Sequence, residues 1–129
     1  MKQLVLFLCL FALLISCKKD ATNNYLEVSI DNQSSFEMTN IKLYSNIGVI
    51  NHNFTDSLLI EEIKSGDSFD TSWNLKDLVS VDGGFVISFI MDTIQNQKDF
   101  GYFSNGIIIG KSYNIQIKDD IIKITKAGN

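Results

Sequence analysis

The stretch YLEVSID, residues 25–31, decides how the rest of the chain is read. Leu26, Val28 and Ile30 recur at every second position, with polar or charged residues around them. A period of two places those apolar side chains on one face of an extended strand. A helix would space them by three and four. The polar cluster Asn32 to Ser35 then reads as a turn.

The same alternation runs outward from this strand. In MTNIKLYS (38–45), Ile41 and Leu43 share one face, with Asn40, Lys42 and Tyr44 opposite. LLIEEIKSGD (58–67) fits both periods, but Ser65-Gly66-Asp67 stops it at strand length. SFDTSWNL (68–75) alternates Phe69, Thr71, Trp73 and Leu75, whereas FVISFIMD (85–92) is apolar on both faces, as a central strand is. In KDFGYFS (98–104) strict alternation sets Phe100 and Tyr102 on one face and Phe103 on the other. SYNIQIKDDIIKIT (112–125) reads as a hairpin turning at Asp119-Asp120. Gly48 to Asn53 is expected as a short edge strand, and Lys76 to Val81 as a brief helical turn.

Strands alone must bury one face of each sheet, and two packed sheets achieve that. The expectation is an all-β fold: an antiparallel β-sandwich of seven to nine strands over residues 25–129, immunoglobulin- or transthyretin-like in general form. A small closed barrel is the alternative. No long helical segments separate the strands, so a parallel sheet is not expected. Proline is absent, which leaves edge protection to lysines, aspartates and short strands.

Ahead of this body lies a different composition. Lys2 is followed by an almost wholly apolar run from Leu4 to Ile15. As a helix it would rise about 18 Å, short of the roughly 20 residues that span a bilayer. The length suits the core of a signal peptide. It ends in Leu14-Ile15-Ser16-Cys17, which resembles the bacterial lipobox: an aliphatic residue, a tolerant position, a small residue, then cysteine. The resemblance implies cleavage before Cys17, removal of residues 1–16, and lipid on the Cys17 sulfur and new amino group. Two or more acyl chains anchor stably where one does not. Residues 17–24 would then be the lipidated cysteine and a polar tether, KKDATNN after the cysteine. The mature chain keeps no free thiol and no disulfide, so its domain depends on its core.

The chain carries 11 cationic and 15 anionic side chains, and every cation is lysine. Loss of Lys2 with the signal leaves a side-chain charge of −5. That balance argues against nucleic acid, and the lack of arginine against bidentate phosphate capture. Lys18-Lys19 would lie beside the lipid, near anionic head groups.

No catalytic set emerges. His52, the single histidine, sits between Asn51 and Asn53, and no G-x-S-x-G surrounds a serine. Zinc would need more His or Cys than remain. Asp67, Asp70, Asp82 and Asp119-Asp120 carry oxygens suited to calcium, but none lies in a D-x-D-x-D-G loop, and turn residues are the simpler reading. Neighbouring Glu61 and Glu62 should face opposite ways and cannot form a carboxylate pair. No metal, no cofactor and no enzymatic activity are expected. Trp73, Tyr44, Phe100, Tyr102 and Phe103 are candidate aromatics for a glycan or protein partner, Trp73 and Tyr102 first, with core packing as the default.

The order of lipobox cysteine, tether, "IDNQSSFEMTNIKLYS", "IKSGDSF", "GGFVISFIMD", "FGYFSNG" and "SYNIQI" looks like the small single-domain envelope lipoproteins of Bacteroidota. What the resemblance implies is an outer-membrane lipoprotein with a sandwich domain and no catalytic residues, its periplasmic or surface face left open. Asp56-Ser57-Leu58 and Asp92-Thr93-Ile94 also resemble the O-glycosylation triplet of such proteins, which makes Ser57 and Thr93 candidate modification sites. The functional expectation is a lipid-anchored, non-enzymatic module for a protein or glycan. The alternative is a periplasmic inhibitor or immunity-type protein whose acidity suits a basic enzyme.

Overall fold

The computed structural model describes residues 24–47, 56–75, 78 and 82–128. They form nine strands: β1 (Tyr25–Asn32), β2 (Met38–Asn46), β3 (Ser57–Ile63), β4 (Ser68–Asn74), β5 (Gly83–Met91), β6 (Ile94–Ser104), β7 (Ile107–Ile109), β8 (Ser112–Ile117) and β9 (Ile122–Lys126). The described residues contain no helix. The edge strand expected over 48–53 and most of the helical turn expected over 76–81 lie outside them.

The strands build two sheets, ordered β4-β1-β8-β9 and β3-β2-β5-β6-β7. The chain is an all-β sandwich. Its first strand lies inside a sheet, unlike the immunoglobulin order, where it lies at an edge. One pairing departs from the antiparallel expectation: β1 runs parallel to β8, from Glu27 beside Ser112 to Asn32 beside Ile117. Parallel neighbours need a long crossover. Here the other sheet supplies most of it, because β2, β3, β5, β6 and β7 all intervene in sequence.

The core lies between the sheets. Leu26, Val28 and Ile30 of β1 meet Ile87 and Phe89 of β5, Leu43 of β2, and Ile115 and Ile117 of β8 in one buried cluster. Aromatic rings bridge the layers: Trp73 stands 5.9 Å from Phe85, and Phe100 stands 5.5 Å from Tyr113, centroid to centroid. Both pairs are edge-on, the geometry favoured by ring quadrupoles.

Two bulges correct the alternation. Gly84 pairs with Tyr102 and Phe85 with Phe100, so Gly101 is an extra residue in β6. Its φ of +54° costs glycine little. The extra residue reverses the faces: Phe100 and Phe103 are both buried and Tyr102 is exposed. In β2, Asn40 at φ +50° does the same, so Met38 and Ile41 both face the core. Asparagine tolerates this left-handed conformation better than most residues.

Register fixes two ends for the sandwich. At one lie Asn24, Asn46, Asn74, Gly84, Ser104 and Ser112, the near end, where the chain enters β1. At the other lie the β1–β2, β3–β4, β5–β6 and β8–β9 turns, the far end.

Candidate functional site

The far end is organised by Asn32, whose side chain is fully buried. Its amide Nδ2 donates to the carbonyls of Phe36 and Ile63, each at 2.9 Å. Its Oδ1 accepts from the Ser34 backbone N–H at 3.2 Å and the Ser34 hydroxyl at 2.6 Å. Ser65 Oγ donates to the Ser34 carbonyl at 2.5 Å. A single amide thus joins the β1–β2 turn to β3, with donors and acceptors both satisfied. Asp119 adds the β8–β9 turn, accepting from the Ser35 N–H at 2.6 Å and its hydroxyl at 3.0 Å.

This scaffold presents an open groove of about 290 Å³ lined by Phe36, Glu37, Thr39, Ile90, Asp92 and Thr93. Phe36 is 40% exposed beside it, although an aromatic ring that size is usually covered. Ile94 and Ile121 are exposed at the same end, at 62% and 54%. Its four turns carry Glu37, Asp67, Asp92, Asp119 and Asp120 against Lys64 and Lys118. The end is therefore acidic, with apolar side chains set among the charges. Such a surface can bind: its lining combines an aromatic ring and an isoleucine with two threonine hydroxyls and two carboxylates.

Thr93 sits on the rim of that groove. Asp92 and Thr93 are the two central residues of the β5–β6 hairpin, at φ +48° and +66°. Two positive values are what a tight primed turn demands. For branched threonine they are strained. The Thr93 side chain is exposed. Ser57, the other candidate for modification, opens β3 in an exposed position beside Tyr44, at the near end. The structure does not bring the two together.

The other sequence candidates fall out as follows. Trp73 is 5% exposed and packs on Phe85, so it belongs to the core and has no free face for a ligand. Tyr102 is half exposed on the outward face of β6, paired with Ile109. Tyr44 is buried on the outward side of β2, with Lys42 Nζ 5.5 Å from its ring. Burial, and then the Asp99 charge, raise the Tyr44 phenol above its usual 10.0; burial alone raises Tyr113. Asp82 accepts the Asn105 N–H at 3.2 Å, a turn role. Glu61 and Glu62 are both exposed on the edge strand β3, between the buried Ile60 and Ile63. Among the described residues no group of three His, Cys, Asp or Glu is placed to hold a metal ion. Cys17 and His52 lie outside the described residues.

Three features lie beyond what the sequence signals predict. Phe36 follows a polar turn cluster that assigns it no place. Asn32, expected as a turn residue, is the buried centre of that turn. Strand β7 is absent from the expected elements, although Asn105-Gly106 ahead of three isoleucines is a hairpin signal.

Among the described residues no helix is long and apolar enough to cross a membrane. No protein-family model matches the chain, and no curated protein matches it. One solved structure is similar, the NMR structure of a protein from Eubacterium rectale. It is 16% identical, the match covers 86% of this chain and 95% of that one, and the TM-score is 0.49.

Proposed function

We propose that this chain is a lipid-anchored protein of the cell envelope, in the outer membrane, that binds a partner with the far end of its sandwich and catalyses no reaction. The observation that carries the reading is the separation of the two ends. The anchor at Cys17 leads into β1 at Asn24, and the groove with exposed Phe36 lies at the opposite end of the same strand. A tethered domain presents to its surroundings the end remote from its tether.

The partner that suits this surface is a protein with a basic and partly apolar face. Phe36, Ile94 and Ile121 supply apolar anchors of the kind found at interface centres. The surrounding carboxylates would steer a cationic partner. The same acidity favours a second reading, an inhibitor or immunity-type protein that covers a basic envelope enzyme.

Site-specific photo-crosslinking in intact envelope tests this. A photoreactive residue at Phe36 or Ile121 should give one discrete protein adduct, and at Asn114, on the polar outward face of β8, none. A hydrolase in that adduct would select the inhibitor reading. Equal labelling at all three positions, or adducts with polysaccharide only, would overturn the protein-binding proposal.

A further inference from the structure

The near end carries its own exposed apolar strip. Tyr102 is 51% exposed, Ile107 56% and Ile109 39%. They share the outward face of β6 and β7: Tyr102 pairs with Ile109, and Ser104 with Ile107. Among the described residues strand β7 is the last in its sheet, with β6 as its partner. Scattered apolar side chains need no explanation. Three large ones side by side on two adjacent strands, at an open edge, form a patch.

The position of the patch says what covers it. Glu27 N–H donates to the Lys111 carbonyl at 2.8 Å, so the start of β1 lies against the segment that follows β7. From Cys17 to Asn24 is seven residues, which reach at most roughly 25 Å when fully extended. Any lipid on Cys17 therefore holds Asn24, at the start of β1 on this side of the sandwich, within that distance of the bilayer. Charge separates the ends less sharply. Lys111 lies two residues beyond β7 and Lys126 pairs with Tyr113 at this end, among the carboxylates of Glu27, Asp56 and Asp82. An anionic membrane repels the acidic far-end turns, while the near end offers lysines to its head groups.

We infer that the Tyr102–Ile107–Ile109 strip docks on the lipid surface to which Cys17 is tethered. Tyrosine favours the head-group level, where its ring meets apolar chains and its hydroxyl meets water. The two isoleucines enter the acyl boundary beside it. Lys111 and Lys126 reach the head groups by their long stems. The domain would then stand with β7 at the membrane and its far end outward. This inference rests on the proposed anchor.

Processing removes Cys9 and lipid blocks Cys17, so an introduced cysteine is the sole free thiol of the mature chain. The full precursor would be expressed in a lipoprotein-processing bacterium as Ile107→Cys and, separately, Ile121→Cys. Each would be labelled with an environment-sensitive fluorophore and reconstituted in phosphatidylethanolamine–phosphatidylglycerol vesicles carrying a head-group quencher. Quenching at 107 is expected to exceed that at 121 several-fold, and Tyr102→Ser with Ile109→Ser to abolish the difference. Equal quenching at both sites, with the Cys17 lipid confirmed by mass, overturns the docking alone. An unmodified Cys17 overturns the anchor and the docking with it. A 107 label that is shielded but unquenched, with Ile107→Cys crosslinking to itself, would assign the strip to a second copy instead.

Discussion

The two ends of the sandwich are closed by different physics. At the far end, side-chain hydrogen bonds do the closing: the buried Asn32 amide and the Asp119 carboxylate tie three turns together. Toward the near end, close packing does it. A Cβ on Gly101 would lie 2.8 Å from the Tyr113 ring and hydroxyl, so only glycine lets β6 approach β8 there. Tyr113 in turn donates its hydroxyl to the Ile109 carbonyl at 3.0 Å, which fixes β7. The far end thus holds an open groove on a rigid polar frame. The near end holds a short apolar strand against the body. The difference fits a domain that binds with one end and is held at the other.

The comparison can be broken most severely at Asn32. Asn32→Ala takes the amide donor from the buried Ile63 carbonyl and from the partly buried Phe36 carbonyl, and removes the acceptor that holds the Ser34 N–H. The expected loss is about 3 kcal/mol, read as a lower denaturant midpoint at unchanged slope. Gly101→Val attacks the near end instead. It forces a branched residue to φ +54° and into the Tyr113 ring, for a loss of about 2 kcal/mol. It should also release β7, seen as faster amide exchange at Ile107 to Ile109 while the Asn32 turn stays protected.

Smaller effects sharpen the picture. Thr93→Gly removes the strained φ of +66° and should stabilise the domain by about 1 kcal/mol, raising its melting temperature. The same variant removes the hydroxyl, so any sugar mass on the 92–94 segment must vanish with it. The smallest effect is with pH. Tyr44 and Tyr113 have phenol pKa values raised by burial. A raised value means that the folded state holds its protons longer than the unfolded one. Their stabilising contribution is whole below pH 10.0 and is lost as pH rises through the folded values. Ultraviolet titration of the phenolates against unfolding midpoints checks this.

Most of the fold was legible because alternation is a local signal. Leu26, Val28 and Ile30 read correctly, as did the hairpin of β8 and β9, since nothing interrupts their period. Reading failed at the bulges. One extra residue at Gly101 turns Phe103 inward and Tyr102 outward, and nothing in FGYF announces it beyond the glycine. The parallel pairing of β1 with β8 was hidden for another reason: it joins segments more than eighty residues apart and leaves no mark in either. For the site, turn chemistry marked the Asx-type segment at Asn32, but the exposure of Phe36 depends on where the β5–β6 hairpin comes to lie. Trp73 follows the default of core packing, and its candidacy for a partner stood only because a lone aromatic in an alternating strand carries no label for core or surface.

The central claim is that Cys17 holds the near end to a membrane. The most direct measurement is membrane fractionation with intact mass determination, for wild type and Cys17→Ala side by side. The account predicts that the wild type partitions with the membrane, lacks residues 1–16 and carries acyl mass on Cys17. It predicts that Cys17→Ala carries no acyl mass and loses stable membrane association once its leader is removed. A Cys17→Ala protein without its leader that stays with the membrane as the wild type does, or a wild type without added mass, would contradict it.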